Sequence, residues 1–239
     1  IPLLLAGALA CSCASDTTPP LVYGDENTGA AFEKPVLPAF DELERIATLP
    51  DPLEWSDGSG RVKKFSQWER RRNEIMAELY EYEVGWKPQT PKECTKATLQ
   101  GDTLLVVEVS VNGESITMNC PLKIPQTEGP HPLMIGIGMG ANPGSLPRDI
   151  FASRNIAIVG FPFPAVMSHT QTRGNEPVNR LYPELEENGA YCMWPWGVSR
   201  LIDGLEQVAP QLGLDLTRIG ISGCSFAGKM ALWSAALDE

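Results

Sequence analysis

Residues 218–235 read RIGISGCSFAGKMALWSA, an apolar strand-like run that breaks at Gly-Cys-Ser and resumes as a helix-like run. A serine hydroxyl becomes a useful nucleophile when it stands exposed at the C-terminal edge of a sheet, close to the N-terminus of the next helix. There the free N–H groups and the helix dipole favour the anion that develops on attack. Strand, Gly223, Cys224, Ser225 and helix supply that layout. Gly223 and Gly228 are the small residues that let strand and helix approach, while Ala227 takes the place of the second glycine of the Gly-x-Ser-x-Gly elbow. A simpler reading stands beside this one, because serine is a favoured N-cap and a cap needs no chemistry. The pattern leaves nucleophile and cap both open.

Three other groups of residues invite a chemical reading. GIGMGA, residues 136–141, fits Gly-x-Gly-x-x-Gly/Ala, but NPGSLP follows where a dinucleotide site needs a helix, and no acid ends the next strand. A glycine-rich loop after a central strand can instead aim backbone N–H groups at an incoming oxygen, as half of an oxyanion hole, or it can simply turn the chain. The only histidines are His131 and His169. His131, set next to prolines ahead of a strand, is expected to be a turn residue on the wrong side of the sheet for chemistry. His169 lies in a long polar loop on the correct side, but the order expected of this architecture is Ser, then acid, then His, which gives His169 a loop or substrate-facing part. No His or Cys pair has metal-ligand spacing with a third ligand, so neither a metal nor a cofactor is expected. Cys94, Cys120, Cys192 and Cys224 could pair in three ways, and direct pairing of Cys94 with Cys120 is disfavoured because their strands flank a shared middle strand.

The elements that must position these residues are legible in outline. SQWERRRNEIMAELYEYEVGW predicts a helix ending near Gly85, with Ser66 and Glu69 as a capping box and Trp68, Ile75, Leu79 and Tyr82 near one face. Its Arg70–Arg72 triplet reads as a solvated helix face. AFDELERIATL, ahead of Pro50, predicts a shorter helix within a wrapping arm. CTKATLQ, TLLVVEVSV and ESITMNCPLKIP, separated by Gly-Asp and Asn-Gly, predict an antiparallel meander. PLMIGIG, NIAIVGF and RIGISG then predict short parallel strands spaced by longer segments, among them the helix PWGVSRLIDGLEQVAPQLG. The fold class is α/β, a three-layer αβα sandwich.

The chain has 239 residues, 43% of them hydrophobic and 21% charged, enough for a sizeable core without metals or disulfides. Its formal charge of −11 excludes nucleic acid as a partner, since phosphate binding needs a basic face. IPLLLAGALACSCASDTTPP reads as an export-signal remnant and linker over residues 1–20, with residues 21–239 forming part of one α/β domain. Two processing readings compete there: cleavage at ALA, or membrane attachment through a lipid on Cys11, less readily Cys13. Either places the protein outside the cytoplasm, secreted or in the cell envelope.

At the level of local sequence, GCSFAGK resembles the Gly-Cys-Ser-x-x-Gly-Lys signature of carbohydrate esterase family 15, the glucuronoyl esterases. LPDPLEWSDGSGRVKKFSQWERRRNEIMAELYEYEVG is similar to that family's opening segment, PLMIGIGMGANPGSLP to its oxyanion-side loop and GAYCMWPWGVSRLIDGLE to its aromatic helix. The resemblance covers roughly residues 45–239 and implies the α/β-hydrolase fold. It also implies hydrolysis of the ester between a glucuronate of glucuronoxylan and a lignin alcohol, with Ser225 as nucleophile, the backbone N–H of Phe226 in the oxyanion hole and Lys229 on sugar hydroxyls. Phe226 departs from the family, which has Arg there; losing one such donor costs on the order of 3 kcal/mol of transition-state stabilisation. The family's acid and His come later than residue 239, so the chain is expected to be an N-terminal piece with little turnover of its own. An acetyl-xylan or other carbohydrate esterase, and an inactive carbohydrate-binding relative, are the alternatives.

Overall fold

The structure, a computed structural model, describes residues 35–238. The expected export segment and linker, with Cys11 and Cys13, lie outside the described residues.

Alternating apolar residues build the first three strands. β1 (Thr95–Gln100), β2 (Leu104–Val111) and β3 (Glu114–Lys123) form the expected antiparallel meander. Asn112 and Gly113, with φ of 54° and 83°, make the tight turn between β2 and β3 that right-handed strand twist favours. Leu105, Val107 and Val109 of β2 and Ile116, Met118, Cys120 and Leu122 of β3 are buried, so one face of the meander is core. β4 (His131–Ile137) and β5 (Ala157–Phe161) are short apolar strands, and β6 (Leu214–Ser222) leads to the elbow. The sheet order is β1-β2-β3-β5-β4-β6, with β5, β4 and β6 parallel and β3 antiparallel to β5. This switch from meander to parallel strands is the α/β-hydrolase arrangement expected from the sequence. All of the parallel strands therefore end at one edge, where Gly136 of β4 pairs with Ser222 of β6.

Among the described residues five α-helices accompany the sheet: α1 (Trp68–Leu79), α2 (Arg148–Ser153), α3 (Pro177–Leu181), α4 (Ala190–Leu212) and α5 (Phe226–Leu237). α4 is apolar on nearly every side of its first three turns, and it is buried accordingly, packed on α5 and over the sheet. Its indoles are satisfied: Trp194 Nε1 donates to the Met167 carbonyl at 2.8 Å and Trp196 Nε1 to Thr90 Oγ1 at 2.8 Å. Gly213, in the left-handed conformation, ends α4 and admits the chain to β6.

The N-terminal region departs from expectation in three ways. AFDELERIATL forms only a 3₁₀ turn at Phe40–Glu42, because its apolar residues find no surface among the described residues: Phe40, Ile46 and Leu49 are exposed. Gln67, not Ser66, is the N-cap residue of α1 and makes no side-chain cap bond to it; its Oε1 accepts from the N–H groups of Lys63 and Lys64 at 2.9 and 3.1 Å, ahead of the 3₁₀ turn Phe65–Gln67. The fully buried residues of α1 are Arg71, Asn73, Glu74 and Ala77, while Ile75, Leu79 and Tyr82 are half-buried. Arg71 donates to the Pro52 carbonyl at 2.9 Å and to Ser56 Oγ at 2.8 Å, and Arg70 lies 4.3 Å from the ring centroid of Trp55. Of the arginine triplet, only Arg70 is exposed as a solvated face would have it; Arg71 is buried and anchors the preceding arm, and Arg72 is half-buried.

Candidate active site

Ser225 stands between β6 and α5 with φ 55° and ψ −116°, a conformation that an L-residue adopts at a cost of about 1–3 kcal/mol. An N-cap serine sits in the extended region and bonds a helix N–H; Ser225 is in the wrong region, and its hydroxyl makes no cap hydrogen bond. The cap reading therefore fails on both geometric counts. The side chain is exposed, and the N–H of Phe226 has no protein acceptor among the described residues. A strand-to-helix turn this tight has no room for side chains behind it. A Cβ on Gly223 would lie 2.3 Å from the carbonyl oxygen of Ala227.

The glycine-rich loop after β4 closes one side of the elbow. It folds back over the strand ends so closely that a Cβ on Gly136 would lie 1.6 Å from the Asn142 carbonyl oxygen, and one on Gly160 2.4 Å from that of Gly140. Gly138 N–H donates to the Phe161 carbonyl at 3.1 Å, and Ser222 Oγ donates to the Pro143 carbonyl at 3.2 Å, just before the elbow. The loop is thus stitched to β5 and β6, which argues against a flexible turn. Among the described residues the N–H groups of Met139, Gly140 and Ala141 have no protein acceptor. Between loop and elbow lies a cleft of about 260 Å³, bordered by Gly138, Asn142, Ser145, Cys224 and Ala227.

The other side is aromatic. The Phe226 ring meets His169 at 4.5 Å between centroids, Trp194 at 5.4 Å and Tyr191 at 5.9 Å, each at a steep angle. Lys229, one turn along α5, is exposed and forms no ion pair among the described residues; its Nζ lies 5.6 Å from the Phe226 centroid and 5.9 Å from that of Tyr191. The structure thus brings together Ser225, Phe226, Lys229 and His169. His169 is not hydrogen-bonded to Ser225, and no carboxylate meets either of them among the described residues. His131 is placed differently from expectation: it is the first residue of β4, 2% exposed, with Nδ1 3.2 Å from the Asn155 carbonyl oxygen. It pairs with Leu214 at the opposite end of β6 from the elbow. The strand pattern carries on through the Pro-His-Pro sequence because His131 N–H donates to the Gly213 carbonyl at 2.7 Å.

Cys94, Cys120, Cys192 and Cys224 are unpaired thiols. Burial pushes Cys120 and Cys192 up to about 12, whereas Cys224 borders the cleft and is exposed. No group of three His, Cys, Asp or Glu side chains could hold a metal ion among the described residues. No described helix is long and apolar enough to cross a membrane.

Two residues at the site were not singled out from sequence. Tyr191 lies within the aromatic run at the start of α4, where any ring could be core. Glu176, 5% exposed, organises the loop that carries His169; its position just before Pro177, at the head of α3, was the available signal.

Residues 107–239 match the profile of a family described as "Glucuronyl esterase, fungi". The 4-O-methyl-glucuronoyl methylesterase of Thermothelomyces thermophilus is 37% identical over 197 residues, an alignment covering 81% of this chain and 47% of that protein. A solved serine-to-alanine variant of the glucuronoyl esterase from Sporotrichum thermophile, in complex with methyl 4-O-methyl-β-D-glucopyranuronate, superposes with a TM-score of 0.67 at 37% identity. That match covers 80% of this chain and 49% of the other. The glucuronoyl esterase catalytic domain from Hypocrea jecorina gives a TM-score of 0.69 at 30% identity, over 84% of this chain and 53% of that one. The chain thus spans about half the length of the relatives it matches.

Proposed function

The chain belongs to the glucuronoyl esterases, carbohydrate esterase family 15, and from that premise we propose that it supplies the nucleophile side of a site that hydrolyses glucuronate esters. The observation that carries this reading is Ser225, strained, exposed and uncapped at the head of α5. Its Oγ attacks the ester carbonyl, and the carbonyl oxygen becomes an anion facing the unused N–H of Phe226 and the open N–H groups of the loop after β4. Collapse of the tetrahedral species expels the alcohol and leaves a glucuronoyl-enzyme, which water then hydrolyses. Taking up the Ser225 proton requires a general base, which no described residue supplies at Ser225. Lys229, whose Nζ lies 5.6 Å from the Phe226 centroid, would hold sugar hydroxyls. In the plant cell wall the substrate would be the ester joining glucuronoxylan to a lignin alcohol. The apolar Phe226, which brings no side-chain donor, also favours a second reading, a smaller ester such as acetylated xylan. Residues 1–20 support a place outside the cytoplasm, with a lipid on Cys11 as one means of attachment.

The test uses the protein expressed from its complete reading frame, with methyl and benzyl glucuronate esters and acetylated xylan as substrates. Turnover of the glucuronate esters is expected to fall by about ten-thousandfold or more in Ser225→Ala. Turnover that survives in Ser225→Ala removes Ser225 as nucleophile, and activity on acetylated xylan alone moves the assignment to the second reading.

A further inference from the structure

The loop between β5 and α3 presents a histidine with unusual care. The buried Glu176 carboxylate accepts from Ser168 N–H at 2.8 Å, Ser168 Oγ at 2.7 Å and Thr172 N–H at 2.5 Å. Ser168 Oγ also lies 2.9 Å from Thr170 Oγ1, and Gln171 Oε1 accepts from the N–H of Ala190, tying the loop to the first residue of α4 at 2.9 Å. Both neighbours of His169 are therefore held, yet His169 itself is exposed and makes no hydrogen bond among the described residues. Its ring packs edge-on against Phe226 at 4.5 Å and 75°. A side chain kept only for packing has no need of a loop braced this way, whereas a residue that must meet a ligand in a fixed place does.

Phe226 thereby lies beside two groups that can donate: the imidazole of His169 and the ammonium of Lys229, 5.6 Å from the same ring. An apolar ring beside two exposed donors suits a pyranose, whose C–H faces are apolar and whose edges carry oxygens. Resting on the glucuronate-ester reading above, we propose that His169 is a substrate-binding and specificity-determining residue, donating an imidazole N–H to a sugar oxygen of the bound acyl group while Lys229 holds another. His169 would then provide polar recognition at a place where the side chain of residue 226 has none.

Because the chain contains only two histidines, the imidazole nitrogen spectrum of the full-length Ser225→Ala protein should hold two sets of signals from this region. His131, buried at the opposite end of the sheet, serves as the internal reference. Titration with methyl 4-O-methyl-glucuronate is expected to move the His169 signals and leave those of His131 in place. In the Ser225 enzyme, His169→Phe keeps a ring against Phe226 but removes the donor. It is expected to raise KM for the glucuronate ester with a smaller change in kcat, and to lower kcat/KM for that ester relative to p-nitrophenyl acetate by about fivefold to tenfold. Still His169 signals at saturating ester, or an unchanged substrate ratio in an enzyme that turns over glucuronate esters, overturn the His169 assignment alone. If the Ser225 enzyme neither binds nor hydrolyses the ester, the functional reading and this assignment fall together.

Discussion

Ser225 separates two explanations of the same residue by stability as well as by activity. If its side chain capped α5, truncation to alanine would cost about 1 kcal/mol. With no cap bond to lose, Ser225→Ala is expected to change stability by less than about 0.5 kcal/mol while removing activity. Ser225→Gly should go further. Relief of a positive φ gives back about 1–3 kcal/mol, and the extra freedom of glycine in the unfolded chain takes away about 0.5–1, leaving a net gain of about 1 kcal/mol in a protein without its nucleophile. Urea denaturation of the two variants beside the parent checks both values. A loss near 1 kcal/mol in Ser225→Ala, with no gain in Ser225→Gly, would return the residue to an ordinary cap. The expected combination, stability gained where function is lost, is what strain held at a reacting group implies.

At the scale of elements, the elbow works because backbones lie against backbones. The loop after β4 crosses Gly136 with no allowance for a methyl group, yet Gly138 in the same loop has nothing within 4 Å of a built Cβ. Gly136→Ala is therefore expected to destabilise by about 3 kcal/mol or to displace the loop, and Gly138→Ala by less than about 0.5 kcal/mol, as read from urea midpoints. Equal effects of the two substitutions would mean that the loop is not seated on β4 as described. Local pattern made much of this legible in advance. Alternation gave β2 and β3, Asn112-Gly113 their turn, short apolar runs the parallel strands, and Gly-Cys-Ser the break between β6 and α5. What pattern could not convey was which surfaces meet. Arg71 and Glu74 look like solvent-facing charges until the arm carrying Pro52 and Ser56 is laid over them. The apolar residues at 40–49 look helical, yet Phe40, Ile46 and Leu49 are exposed and have nothing to bury against among the described residues. His169 and Phe226 are each noticed in the sequence for separate reasons, but nothing there joins them; their contact exists because the β5–α3 loop and the head of α5 share one edge of the sheet.

For the molecule as a whole, the helix that begins at the elbow is braced at its other end by cations from the N-terminal region. Arg72 donates to the Ala236 carbonyl at 2.8 Å, and Lys87 donates to the Leu237 carbonyl and to Ser199 Oγ of α4, each at 2.8 Å. Cations at a helix C-terminus oppose the partial negative charge there and satisfy carbonyls that have no partner within the helix. The ammonium of Lys87 is buried to do so. Burial lowers its pKa to about 8 from the usual 10.5, and Asp238, 3.9 Å away, only partly opposes the shift. With the folded value below the unfolded one, the unfolded chain holds more protons between pH 8 and 10.5, so this group's contribution to stability rises with pH across that window. Below pH 8 the buried charge carries a cost of about 3 kcal/mol relative to a lysine in water. Cys120 and Cys192, raised to about 12 by burial, act in the opposite direction at alkaline pH, but they are present in both proteins when the parent is compared with Lys87→Met. The stability difference, parent minus Lys87→Met, is expected to rise by about 1 kcal/mol per pH unit between pH 8 and 10, measured by urea denaturation at each pH. A flat difference would show that Lys87 titrates as an ordinary surface lysine, and the far end of α5 would then lack the buried clamp that ties it to the N-terminal region.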